Sequence, residues 1–380
     1  MMNSKIYYSK NKNTKEAVKE IIEKIDQRDI KLVMFFASTT YDFEFVSKEF
    51  NNKFSDCEVT GTTTSGELCN TGFGDNGLLA ISIASKEMKV KSILIEDGDK
   101  HPILYKDKIY GTMKEIGLNP SSLDISNKGF GIGLFNGLFN MEEKLLSVIY
   151  SVIKDSSFKI LGGTAGDDLK FENTLISYKG KVINNGCVMT FVKTDAPFHI
   201  QKENIFTQSG ITMTATKVDV RKRIIYEFNG RAAATEYARV LGIQENKLDK
   251  HFTINPLGRL IGDEVFIATP FQINSDKSIT LYSQILPNAI VDVLELKDPE
   301  KCLHETLSEV KEKIPNLKLV IAFNCILRTL YFKEKKITGN LTNIFNEYVP
   351  SLCGFTSYGE QFGKMHVNQT LTILALGGIE

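Results

Sequence analysis

The chain has 380 residues, 42% hydrophobic and 24% charged, with 46 basic residues balanced by 46 acidic ones. Zero formal net charge removes the sequence-independent pull toward nucleic-acid backbones and anionic membranes that a basic surplus supplies. The opening "MMNSKIYYSKNKNTKE" has no apolar leader core and no stretch has membrane-spanning length, so the expectation is a cytoplasmic protein with no nucleic-acid partner and no membrane insertion.

In chain order, apolar residues three and four apart predict a helix over "TKEAVKEIIEKIDQ" from Thr14. A buried strand, "KLVMFFAS", follows from Lys31, then a helical segment from Tyr41 to Phe54. From Cys57 come an apolar run, a Gly-x-Thr, a turn with glycine and an acid, a loop and another strand. The same order returns: helical from Ile103 to Ile116, "GFGIGLFNG" from Gly129, helical from Met141 to Lys154, then "FKILGGTAGDDLKF" from Phe158. Residues Ala196 to Leu296 differ, being β-rich with one helix near "RAAATEYARVLG". Pro287-Asn288 there marks a turn that should join "SITLYSQI" and "AIVDVLEL" as an antiparallel pair. A third copy opens with the helical "PEKCLHETLSEVKEKI", continues through "LKLVIAFNC" and ends in the stretch from Pro350.

One helix–strand–helix–strand–turn–strand unit therefore occurs three times. The predicted class is α/β (α+β), two related halves with helices packed on mixed or antiparallel sheets. A boundary at Asp195-Ala196-Pro197 divides 1–195, holding two units, from 196–380, holding the β-rich part and the third.

The repeated turns carry the candidate site. Their glycines permit backbone angles and close approaches denied to other residues, and successive N–H groups in such bends can cradle an anion. Hydroxyls of Thr63, Ser65, Thr164, Thr356 and Tyr358 add short hydrogen-bonding arms, and Glu67, Asp167 and Glu360 can accept from an ammonium. N–H groups around a carboxylate with a side-chain carboxylate on an ammonium is the grip a free α-amino acid requires. Along the closing strand His366 and Asn368 share one face with Thr370 and Thr372, and become contacts if that face lines a cleft. Strand ends add Asn136, Asn324 and Arg328, and Arg259 is a second guanidinium able to hold a carboxylate. Each has a plainer reading as a corner hydrogen bond, a core polar group or an ion pair.

Catalytic signatures are missing. No GxGxxG opens a helix, and GxxxxGK[ST], HExxH and GxSxG do not occur. The six cysteines and five histidines show no metal-ligand spacing, so no cofactor and no metal are expected, and the thiols should be reduced. The expectation is a binding protein and not an enzyme. Two alternatives stay open: a thiol-dependent amidohydrolase using Cys353 and His366, and a scaffold that docks a partner without a ligand.

In order, "VTGTTTSGEL", "LGGTAGDDL", "NPLG", "VIAFNCILR", "CGFTSYGEQ" and "HVNQTLTILAL" resemble the FIST family, bacterial sensory domains of signal transduction. The first part looks like the family's N-terminal domain, about residues 30–225, and the rest like its C-terminal domain, about 226–368. The resemblance implies a small-ligand sensor with amino acids as ligands, in a family commonly joined to chemotaxis, kinase or cyclic-dinucleotide output modules. No output segment is visible here, so the resemblance implies action alone or through a signalling partner protein. It carries over no catalytic or ligand-contacting residue.

Overall fold

A computed structural model describes residues 2–262 and 264–378. It shows the predicted α/β class, with mixed and antiparallel sheets covered by helices. The three units are all present. In the first, the strands Ile30–Ser38 and Glu58–Thr64 flank the helix Phe43–Lys53 and lie parallel, Phe35 opposite Gly61. Parallel neighbours need such a crossover, and Asp42 starts this one by accepting from the Phe45 amide at 3.0 Å. The closing strand Leu78–Ala84 then returns antiparallel to Ile30–Ser38. Gly129–Phe135, Ile160–Thr164 and Gly186–Lys193 repeat this arrangement in the second unit, and Leu317–Cys325, Leu352–Ser357 and Thr370–Gly377 in the third.

Each unit sends the hairpin after its turn into another unit's sheet. Glu67–Cys69 pairs with Leu352–Ser357 of the third unit, and Glu360–Phe362 pairs with Ile160–Thr164 of the second. Ile176–Tyr178 of the second pairs with Glu58–Thr64 of the first. The exchange closes into a ring, so hydrogen-bonded sheets join residues from both sides of Ala196. Inner faces of all three sheets share one core, in which Phe36 and Phe355 lie 4.9 Å apart, ring centre to ring centre, with Phe130, Leu161 and Phe323. Each outer face is packed by its own unit's helices.

The segment between the second and third units builds a separate antiparallel sheet around the long strand Phe206–Asp219, with the helix Ala233–Leu241 on its own core. Here one expectation fails. Ile279–Leu281 and Ile290–Leu296 do not pair across Pro287-Asn288, because Phe206–Asp219 and Ile224–Phe228 lie between them. The Asn288 amide donates to the Ala215 carbonyl at 2.8 Å, anchoring that turn to the intervening strand. The closing run is likewise not one strand. Gln369, at φ 53°, breaks it, leaving Met365–Val367 in the second unit's sheet and Thr370–Gly377 in the third's.

Candidate functional site

The three turns meet at the carboxyl ends of the parallel strands and are laced together by backbone hydrogen bonds. Ser65 N–H donates to the Thr356 carbonyl at 3.1 Å and Thr356 N–H to Gly66 at 2.8 Å. Tyr358 N–H donates to Thr164 at 3.0 Å, Thr164 N–H to Gly359 at 2.8 Å, and Gly166 N–H to Thr63 at 3.0 Å. Close approach is what glycine allows here. A Cβ on Gly166 would sit 2.8 Å from the Ser65 nitrogen, and one on Gly359 would sit 3.0 Å from His366 Nε2.

This convergence uses up much of the polar chemistry within the turns. Glu67 is buried, accepting from Thr64 Oγ1 at 2.7 Å and the Gly77 amide at 3.0 Å. Glu360 is buried likewise, accepting from Ser357 Oγ at 2.6 Å and Thr370 Oγ1 at 2.7 Å. Burial pushes both carboxyls up to about 8, outweighing those hydrogen bonds. Asp167 goes the other way. Burial opposes its charge, but the Tyr358 hydroxyl and the amides of Asn173, Glu172 and Phe171 hold it below the usual carboxylate range. Asp167 thereby ties down the 168–173 loop.

Three equivalent positions surround this centre, each where the loop after a unit's first strand faces another unit's turn. At the third unit the helix Ile326–Glu334 starts directly after Cys325, and side chains fill the space. Arg328 donates to Asn324 Oδ1 at 3.0 Å and pairs with buried Glu203, while Thr329 meets Thr356. At the first unit, residues Thr39–Glu44 face Thr63, Asp167 and Lys170 across a hollow of 330 Å³.

The position at the second unit is the most elaborated. A cleft of 240 Å³ lies between Gly137–Glu142, Thr164, Tyr358 and His366, and the separate sheet roofs it with Arg223, Phe271 and Thr280–Tyr282. Arg223 is buried and donates to Glu142 at 2.7 Å, Glu143 at 2.6 Å, Asn140 Oδ1 at 2.9 Å and the Tyr282 carbonyl at 2.7 Å. Its Nε has no partner among the described residues. Both glutamates open the helix Glu142–Tyr150, where the positive end of the helix dipole favours them. Burial opposes the charge of Glu143, but Arg223 prevails and holds its carboxyl below the ordinary range. His366 Nδ1 lies 3.3 Å from Gln361 Nε2, and its Nε2 lies 3.6 Å from Glu142 Oε1. On the far wall Phe171 stacks on Tyr358 with ring centres 4.6 Å apart. Asn140, Asp168, Leu169, Phe171 and Arg223, all in or beside this cleft, have φ between 53° and 65°. Each such backbone costs on the order of 1–3 kcal/mol and persists only where its surroundings over-determine it.

Of the residues singled out in the sequence, Thr164, Tyr358 and His366 come together here, and Thr63 and Asp167 at the first unit's hollow. Ser65 accepts from the Asp168 amide at 3.2 Å, Asn136 donates to the Thr174 carbonyl at 2.6 Å, and Thr356 serves the backbone ring. Glu67, Glu360, Asn324 and Arg328 are held in the internal networks above. Arg259 lies in the separate sheet, where burial lowers its pKa and Glu143 opposes that shift. Asn368 is buried beside Gly359, with neither amide atom partnered among the described residues. Glu142, Arg223, Phe171, Phe271 and Tyr282 escaped sequence reading. Arg223 is one of three basic residues in "RKR", and nothing local marks it as the buried one.

Cys353 packs in the shared core, its thiol pushed well up by burial, and no hydrogen bond joins it to His366 among the described residues. Three larger hollows, of 560, 610 and 430 Å³, contain no residue of the converging turns. No helix among the described residues is long and apolar enough to cross a membrane.

Comparison with known proteins gives two family matches, the FIST N domain over residues 31–231 and the FIST C domain over 233–363. An uncharacterized protein of Methanocaldococcus jannaschii is 24% identical over 272 residues, covering 64% of this chain and 52% of that protein, so the chain spans about half of that relative's length. Among solved structures, a cyanuric acid hydrolase from A. caulinodans aligns over 100% of both chains at 8% identity and a TM-score of 0.35. A chorismatase aligns over 99% of both at 6% identity and a TM-score of 0.38. Likenesses at that level say nothing about chemistry. The two domain matches together take in most of the sequence, and the chain belongs to the FIST family, whose domains are sensory domains in signal transduction.

Proposed function

We propose that this protein senses a small metabolite, an amino acid or a molecule of similar size and polarity, bound in the cleft of the second unit. The observation that supports this most is the make-up of the cleft. Its floor comes from the second and third units and its roof from the separate 206–296 sheet. A ligand gripping floor and roof together stabilises whichever arrangement of the two fits it best, and that differential affinity is what a sensor needs. The volume of 240 Å³ lies below the roughly 300–1,000 Å³ of clefts for drug-sized ligands, which favours a ligand of amino-acid size. Thr164, Tyr358 and His366 belong to this reading as contacts, joined by Glu142 and Arg223. A signalling partner would then read the position of the roof.

Thermal unfolding against the free amino acids at millimolar concentration tests it. A ligand present at 100 times its dissociation constant stabilises the native state by about 2.7 kcal/mol, so at least one should raise the melting temperature measurably. Flat melting temperatures across the panel would count against the proposal.

A further inference from the structure

We infer that the ligand of this cleft is an α-amino acid with a single aromatic ring; the inference rests on the binding role proposed above. The rings lining the cleft form a continuous wall. Phe171 stacks on Tyr358, lies 6.4 Å from Phe271 between ring centres, and Phe271 lies 5.0 Å from Tyr282. Leu138 and Leu281 complete an apolar side. Phe171 and Phe271 remain 41% and 46% exposed, although the chain buries most of its other phenylalanines. Both sit where a bound ring would cover them, and a flat ring offers the offset-stacked and edge-to-face contacts that aromatic walls favour. A small hydrophilic side chain such as that of serine or aspartate would leave this wall wet.

The opposite side is ionic and fixes the other half of the ligand. Glu142 Oε1 faces His366 Nε2 at 3.6 Å, beyond hydrogen-bond length, and so retains capacity for an ammonium donor. Arg223 lines the cleft and supplies the positive field for a carboxylate, although its unpartnered Nε is itself covered by protein atoms. The ion group sets two carboxylates, Glu142 and Glu143, against two guanidiniums, Arg223 on both and Arg259 within reach of Glu143, and His366 also acts on Glu143. A zwitterion preserves that balance, whereas an amine or a carboxylic acid alone disturbs it.

Titration calorimetry of the full chain with L-phenylalanine, L-tyrosine, L-serine, L-aspartate and phenethylamine decides the matter. Phenylalanine or tyrosine should bind roughly tenfold or more tightly than serine, aspartate or phenethylamine. In F271A, a change at a half-exposed side chain, that preference should shrink severalfold while circular dichroism stays that of the parent. Should serine or aspartate bind and the aromatic amino acids not, the inference is overturned and the sensor proposal stands. Phenethylamine binding as tightly as phenylalanine overturns the zwitterion half. If none of these amino acids binds, the inference is overturned, and the melting-temperature panel above decides the sensor proposal separately.

Discussion

At the scale of single residues, one chemical group, the buried carboxyl, serves opposite ends according to the donors around it. Glu67 and Glu360 are attractive in sequence as acceptors for an ammonium, yet each is sealed under its own turn and favours the neutral acid. Asp167, at the matching position, stays charged because three amides and a tyrosine hydroxyl surround it. The raised pair has a consequence for stability. Between their ordinary value of 4.5 and about 8, the folded chain holds protons that the unfolded chain has released, so stability contributed by these groups is lost as pH rises through that window. The double variant E67Q/E360Q keeps the neutral shape without the titration. Its unfolding free energy relative to the parent should improve steadily from about pH 5 to about pH 8 and level off above, as urea denaturation would show. A difference that stays constant across the window contradicts the buried-acid assignment. None of this is legible in the sequence, since Gly-x-Thr turns ending in an acid read alike whether the acid points outward or inward. Tyr358 and His366 are legible, because a polar face on a strand leading from a glycine turn has few places to go.

At the scale of elements, helices and strands follow their apolar spacing closely, and the failures come where pairing is decided at a distance. Pro287-Asn288 has the chemistry of a hairpin turn, but the strands beside it prefer Phe206–Asp219 and Ile224–Phe228, neighbours that no local pattern reveals. The break at Gln369 is marked by three polar residues in a row, Asn368 to Thr370, a signal that reading one continuous polar face passes over. The turns themselves are the glycine-dependent bends that the sequence implies, though the reason is contact between units. Gly166 offers the sharpest check: an added methyl would press on the Ser65 backbone at 2.8 Å, where no flexible side chain can give way. G166A should therefore lose about 1–3 kcal/mol, read as a lowered urea midpoint with unchanged slope. An unshifted midpoint would mean that the ring of turns is looser than its hydrogen bonds imply.

At the scale of the molecule, the threefold repeat is visible in the sequence but the exchange of hairpins is not, because nothing in a hairpin's residues says whose sheet it joins. That exchange makes three similar loop-and-turn positions, which then diverge in the segment after each first strand and in what covers it. A helix starting at once, with Arg328 and Glu203 inside, fills the third. A separate sheet inserted between the second and third units roofs the second, and it supplies most of the residues that sequence reading missed. Sensing therefore turns on ligand being held between the roof and the repeated body. Amide hydrogen exchange, with and without the amino acid that raises the melting temperature most, tests this directly. Slowed exchange should appear together in 137–142, 168–173, 280–284 and 358–366, the floor, wall and roof of the one cleft. Protection confined to the edge groove around His199 and Glu309, with those four segments unchanged, would contradict it.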